Sequence, residues 1–452
     1  MGFIITIVFL AAMLLIGIVK RRNTGSVAGF FVSGRSGSVL RITGSLVATI
    51  IGGSATLGLA GLGFTTGLPA VWWLLSGSVC LVILGTFFAA RVRRYGVYSM
   101  PEILEVQYNS GALRVISSLV ILVAWLGVIA AQITAAGRIA GILWPGHFVI
   151  PVILCGSIFI IYTAAGGQNS VIRTEVFQAI LIFTGIGLLF IMLVAGTGDI
   201  TLLKLPGGFL DFPVNSGFTY YDILGYFLFV GTSYLAGPDM YSRILSAKDE
   251  ATAKRAVFIT AILISVIAFA IVLIGIYGKG LYPEIEAESV FPRLIVDVLP
   301  AWIQGVVVAS LLAAFLSSAD TCLITSSVIL NSDIINPLIF KNRLDDKKQV
   351  YLTRIIIIIL GVISIIITLY MGGIIKSMLF ALTVYTTGLI VPVIFGFYRE
   401  KLRLNSYGAI AAVAAGSCAA LAMEFFSLNM YLIFIFPAVI IVLFAVSYIK
   451  PE

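Results

Sequence analysis

Apolar runs close to the ~20 residues needed to cross a hydrocarbon core recur from one end of this 452-residue chain to the other. No stretch between them is long enough to build a soluble domain of useful size. Charged residues are 11% of the total, against roughly 25% in an ordinary soluble domain, so residues 1–452 read as one all-α polytopic membrane domain. Hydropathy places spans near 3–19, 40–64, 68–91, 113–143, 148–165, 171–195, 220–245, 252–278, 301–332, 351–371, 374–398, 405–426 and 430–449, about 13 in all. The run Phe3 to Val19 has the length of a signal peptide. Its basic cluster Lys20, Arg21 and Arg22 follows it rather than preceding it, however, and no small-residue cleavage site is evident, so it reads as a retained extra N-terminal helix.

The net charge of +8 does not call for a nucleic-acid partner, because the basic residues collect in alternate loops. One set of loops holds Lys20 to Arg22, Arg91 to Arg94, Lys248 to Arg255, Lys341 to Lys348, Arg399 to Arg403 and Lys450; the opposite set holds Lys204, Lys279, Arg293 and Lys376. By the positive-inside rule the N-terminus is outside and the C-terminus cytoplasmic, with the chain multi-pass in the plasma (inner) membrane. The four cysteines all fall inside apolar runs, far apart in sequence, and imply no disulfide framework.

Two spans look broken. The second, LVATIIGGSATLGLAGLGF, carries five glycines, and the seventh, GYFLFVGTSYLAGPDMYSR, carries Gly231, Gly237 and Pro238. Glycine weakens a helix and proline removes a hydrogen bond, so each is expected to unwind near its middle and free backbone carbonyls, which need partners in lipid. Close packing through small residues is the alternative. Each broken span opens a block of five, 40–195 and 220–398, and paired interruptions in two halves point to a transporter's central site; 405–449 then supplies two extra C-terminal helices.

The stretch LLAAFLSSADT gathers oxygen-bearing side chains inside an apolar span. On a helix Ala314, Ser317 and Ser318 fall on one face. With the loose carbonyls of Ala48 and Ile51 opposite, they would form a five-oxygen cage of neutral, hard ligands suited to sodium. Serine hydroxyls that only satisfy local backbone are the competing reading.

In chain order, FFVSGRS, SMPEILEVQY, TAAGGQNSVIRTEVFQ, GPDMYSRILSAKD and LLAAFLSSADT resemble the motifs of the sodium/solute symporter family, over nearly the whole chain. The resemblance implies the leucine-transporter fold, with five-plus-five inverted repeats whose first helices are broken. It implies Na+ as the coupling ion, no other cofactor, and a sodium site made by the carbonyls of Ala48, Ile51 and Ala314 with the hydroxyls of Ser317 and Ser318. Some relatives have a second cation site, matching Glu175, Ser317, Asp320 and Thr321 here. This chain departs from the usual pattern in having glutamate at 175 and aspartate at 320. A second cation, a proton held by the Glu175 and Asp320 pair, and a structural role all remain open.

For the solute, Arg138 is a basic residue within the span 113–143, and its guanidinium fork fits a carboxylate. Snorkelling to the outer surface near Trp144 is the alternative. The segment resembles that of family members carrying proline, pantothenate or sialic acid, which favours a carboxylate-bearing solute such as an amino acid, a pantothenate-like compound or another organic acid. Further candidates flank the breaks: Ser54, Ala55, Thr56, Trp73, Leu74, Phe229, Thr232 and Ser233. Sugar carriers of the family place polar side chains where this chain has Ala55, Leu74 and Val230, which argues against a sugar. Asp239 and Arg243, at i and i+4, are expected to form an ion pair, either as part of a cytoplasmic gate or as an ordinary helix-end pair.

The function expected is sodium-coupled import of a small organic solute by alternating access, with the lipid bilayer as the surrounding medium and no obligate protein partner evident. Proton coupling through Glu175 and Asp320 is the rival within transport. A membrane sensor is a rival from another class, set aside because only about three residues follow the last span. An enzyme is not expected, for no nucleophile has a histidine base and no metal-ligand cluster or phosphate loop is evident.

Overall fold

The computed structural model describes Thr6, Val8, Ala11 and Ala12, then residues 26–142, 147–200, 203–371, 373–426 and 433–450. Apart from those first four residues, the expected span 3–19 lies outside the described residues, as do Trp144 and the start of the expected last span.

A short helix α1 (Val27–Val32) precedes α2 (Val39–Ile50) and α3 (Ser54–Thr66), followed by α4 (Leu68–Tyr95), α5 (Met100–Tyr108) and α6 (Gly111–Ala140). Next come α7 (Val149–Gln168), α8 (Val171–Thr197), α9 (220–236), α10 (Pro238–Ser246), α11 (Glu250–Leu281) and α12 (Val290–Val298). The chain continues through α13 (Ala301–Ile339), α14 (Asp346–Met371), α15 (Ile374–Gly396), α16 (Ser406–Phe425) and α17 (Ile435–Ile449). Among the described residues nine helices are long and apolar enough to span a membrane, and the bent pair α2 and α3 would make a tenth. The rest of the described chain holds no strand, only two isolated bridges.

Helix starts follow local chemistry. The side chains of Ser99, Ser110 and Asp249 accept backbone amides at the starts of α5, α6 and α11. The bond from Thr252 holds the exposed Asp249 carboxyl below its usual value. Glycine at positive φ, Gly167, separates α7 from α8.

Both expected interruptions are present. The second span turns by 63° between α2 and α3, with Ile51 out of helical geometry, and the seventh is cut at the extended Gly237 between α9 and α10. The boundaries differ elsewhere. Helix α13 runs seven residues past its expected end through a widened turn at 330–339 that contains Pro337, and α1, α5 and α12 were not expected as helices. All three are short and too polar or too brief to register as apolar spans.

Helix α13 is the axis of the bundle: every residue from Val307 to Ile329 is buried, with α6, α7 and α8 packed around it. A helix apolar all round has no lipid-facing side, which is why its few hydroxyls and Asp320 end up in the interior. Backbones approach closely where α3 meets α11. A Cβ on Gly275 would lie 2.0 Å from the Ala60 carbonyl oxygen, and one on Gly63 would lie 2.6 Å from that of Val272.

Gly275→Ala should therefore destabilise the protein by about 1–3 kcal/mol, because the intruding methyl meets backbone that cannot rotate aside. Gly187→Ala, on α8 with nothing within 4 Å, should be neutral or stabilising. Thermal unfolding of the two variants in detergent checks the contrast.

Candidate functional site

The turn from α2 to α3 leaves buried backbone groups without helical partners, and each one named here is met by a specific group. The Ile50 carbonyl accepts Gly52 N–H at 2.9 Å, and Thr56 Oγ1 donates to the Gly52 carbonyl at 2.8 Å. Gly53 N–H donates to Gln132 Oε1 of α6 at 2.7 Å. The carbonyls of Ala48 and Thr49 are met from α13: Ser317 Oγ lies 2.7 Å from Ala48 O, and Ser318 Oγ lies 2.7 Å from Thr49 O and 3.4 Å from Ala48 O. Ser317 Oγ is also 2.8 Å from Ala314 O.

Four of the five expected sodium ligands, Ala48, Ala314, Ser317 and Ser318, thus share one fully buried knot of oxygens. Ile51, the fifth, is the residue at which α2 ends. The chain beside it passes so close that a Cβ on Gly52 would lie 2.5 Å from Ser318 Oγ. The carbonyl bonded to Ser318 is that of Thr49, which the sequence did not single out. A serine oxygen in this knot can turn a lone pair to a cation by swinging its proton away. The set can therefore hold either a hydrogen-bonded contact or a small hard ion.

One turn further along α13, Glu175 and Thr321 are joined by a group not expected there. Arg243 Nη2 lies 2.7 Å from Glu175 Oε1 with both side chains fully buried, and it also donates to Thr321 Oγ1. Thr321 Oγ1 is 3.0 Å from Glu175 Oε1 and 3.0 Å from Thr49 Oγ1, and Ser45 donates to the other Glu175 oxygen. The expected Asp239 and Arg243 pair is corrected: helix α10 turns Arg243 inward to α8, across 68 residues of sequence, instead of back along its own helix. Asp320, equally buried, accepts from Thr163 on one oxygen, while its Oδ2 has no partner among the described residues.

Above the oxygen knot, a cavity is lined from both broken spans and from α4, α6, α13 and α15. Of the expected solute residues, Ser54, Trp73 and Ser233 line it. Ala55, Thr56, Leu74, Phe229 and Thr232 do not. Ala55 and Leu74 are packed in the core, Thr56 bonds to the Gly52 carbonyl in the break, and Thr232 bonds back to its own helix. Phe229 faces Phe436 of α17, with ring centroids 5.5 Å apart.

Arg138 is also corrected. It sits in the last turn of α6 with Glu288 at 2.9 Å and Glu286 at 3.6 Å, so its carboxylates come from this chain, and it does not line the cavity. Sequence reasoning missed Trp125, Gln132 and Tyr234 as lining residues and gave Asp239 a different role. Gln132, an amide in the middle of an apolar run, was the one signal that could have been read.

A broken-helix bundle with an oxygen knot at the break and a cavity beside it defines a multi-pass membrane transporter of the leucine-transporter type. Its fold is similar to that of a Na+-coupled sialic acid symporter solved in a substrate-bound, outward-open state, with a TM-score of 0.86, 20% identity, and 100% of this chain and 98% of that chain covered. The chain belongs to the sodium:solute symporter family, matched over residues 30–416. It is 26% identical to the sodium/pantothenate symporter of Escherichia coli (strain K12), covering 88% of this chain and 84% of the relative. It is 25% identical to the sodium/glucose cotransporter of Vibrio parahaemolyticus, covering 91% and 82%. The family is one of sodium-coupled transporters of small solutes rather than enzymes.

The buried Arg243 and Glu175 pair yields a direct expectation. Arg243→Ala leaves an uncompensated carboxylate in the core and should cost about 3–5 kcal/mol, whereas the double variant Arg243→Met, Glu175→Met should recover most of the loss. Thermal melts of the single and double variants measure the difference.

Proposed function

We propose that the chain is a sodium-coupled secondary active symporter that imports a small organic solute by alternating access across the cell membrane. Its sodium ligands are the carbonyls of Ala48, Ile51 and Ala314 and the hydroxyls of Ser317 and Ser318. The observation that carries this reading is the position of Ser318: its hydroxyl lies in the oxygen knot while the same residue lines the cavity. A cation drawn to the knot would fix the carbonyls at the α2 end, and with them Gly52 and Ser54 on the cavity wall, so ion and solute would each favour the other's binding.

The two blocks 40–195 and 220–398 form the working repeats in this reading, since each opens with one of the two interrupted spans; 3–19 and 405–449 are additions. The N-terminus lies outside and the C-terminus in the cytoplasm, from the alternation of basic loops. Each charge carried inward gains roughly 2.3 kcal/mol per 100 mV, on the order of fifty-fold in concentration before the sodium gradient is counted. Glu175 has its counter-charge in Arg243, so of the readings left open for Glu175, Asp320 and Thr321 a second cation is not needed to balance it.

The solute carries a carboxylate in this reading. The relatives named differ in solute and do not choose among classes, and Arg138 is engaged elsewhere. The support lies in the cavity: the Trp125 indole N–H is buried without a hydrogen-bond partner among the described residues, and the start of α3 presents its positive helix end at Gly52 and Ser54.

Sodium should raise the melting temperature of the purified protein more than equimolar potassium does, an effect worth about 2.7 kcal/mol at a hundred times the dissociation constant. Ser317→Ala with Ser318→Ala should abolish that difference. In proteoliposomes, solute uptake should follow an imposed sodium gradient. Uptake driven by a proton gradient in sodium-free medium would reject this reading in favour of proton coupling.

A further inference from the structure

The cavity carries one formal charge, and it is negative. Asp239 lines it at the break between α9 and α10, and none of the other lining residues is Lys, Arg or His. The carboxylate is set in place by the break itself: Oδ1 accepts the Met240 amide at 3.0 Å, and a Cβ on Gly237 would lie 2.5 Å from that oxygen. Oδ2 has no hydrogen-bond partner among the described residues, and Asp239 is only half-buried. The nearest arginine along the helix, Arg243, is spent on Glu175. Asp239 stands in the first turn of α10, and the helix engages only one of its two oxygens.

Three aromatic residues, Trp73, Trp125 and Tyr234, line the same cavity, and Tyr234 reaches its place only because Gly77 of α4 has no side chain, a Cβ there falling 2.3 Å from the ring. A carboxylate beside aromatic faces in a site without basic groups is the chemistry that recognises an ammonium. An organic anion without one would face Asp239 unopposed.

Resting on the reading of this cavity as the solute site, we propose that Asp239 binds the ammonium group of the transported solute, so that the solute bears an amine, with Trp73, Trp125 and Tyr234 as its walls. Together with a carboxylate received by the Trp125 N–H, this describes a small zwitterion of amino-acid type. The amine is the part of that description that selects against carboxylates such as pantothenate-like acids.

The test uses the purified full chain in sodium buffer and matched compounds: L-leucine, isocaproate and isoamylamine; L-phenylalanine, hydrocinnamate and phenethylamine. It extends to the remaining amino acids, quaternary amines, organic acids and sugars. Thermal shift and tryptophan fluorescence report binding. An amine-bearing compound should bind at least about tenfold more tightly than its deaminated partner, and Asp239→Asn should erase that preference while Asp239→Glu keeps it. Sodium-induced stabilisation of Asp239→Asn without solute shows that the variant is folded. The assignment is overturned if the deaminated acids bind as well as the amines, or if no amine-bearing compound in the extended set binds. It is equally overturned if Asp239→Asn weakens amines and other compounds alike, as it would were Asp239 a site for the alkali ion. An amine-bearing compound bound equally well in sodium and in potassium would instead sink the symport reading and leave the role of Asp239 standing.

Discussion

A helix that stops in the middle of an apolar bundle must find partners for its last carbonyls, and no water is at hand to supply them. In this chain the carbonyls of Ala48 and Thr49 find theirs in Ser317 and Ser318, 269 residues away. That contact fixes the centre of the molecule, because it can form only if α13 runs through the interior beside the broken span, and α13 is indeed buried on all sides from Val307 to Ile329. The second break is met in the same manner: Tyr385 of α15 donates to the carbonyl of Ala236, the last residue of α9. Each interruption is thus held by a hydroxyl from a helix distant in sequence, and each adjoins the same cavity.

A hydroxyl is an apt partner at such a place because its bond is reversible in role. The oxygen that donates to a carbonyl can accept a cation with a small rotation of one proton, at the loss of a bond worth about 1 kcal/mol net. A charged partner would not allow this exchange. The charges are kept one turn away, where Arg243 and Glu175 neutralise one another among Ser45 and Thr321. That arrangement leaves the knot made of neutral oxygens only, which is the condition under which a monovalent ion can bind without an excess of negative charge.

Much of this was legible in the chain. The spans announce themselves by length and apolarity, the breaks by Gly52, Gly53, Gly237 and Pro238, and the hydroxyl knot by two serines in an otherwise apolar helix. These are local signals, readable within about 20 residues. What could not be read is which charged groups meet across the bundle. Arg243 has Asp239 four residues back and pairs instead with Glu175 on another span. Arg138 needed an anion, and the chain supplies Glu288 from the loop before α12, a region the hydropathy pattern leaves blank. Local spacing favours the i, i+4 partner, but burial favours whichever partner desolvates with it, and tertiary packing decides.

The same reasoning separates the ends of the molecule from its middle. At the C-terminal end of α6 Glu288 meets Arg138 and also accepts the amide of Ile374 at the start of α15. At the other end of α6, Arg114 makes two bonds to the buried Asp333 of α13 and one to Glu105 of α5. Helix α6 is therefore pinned by ion pairs at both ends, while its middle contributes Trp125, Val128 and Gln132 to the cavity wall. The charged ties thus fix the position of α6, and its uncharged middle is left to line the cavity. Asp239 is the exception to that division: it is a carboxylate on the cavity wall with no ion-pair partner among the described residues, and the proposed recognition of an amine rests on it.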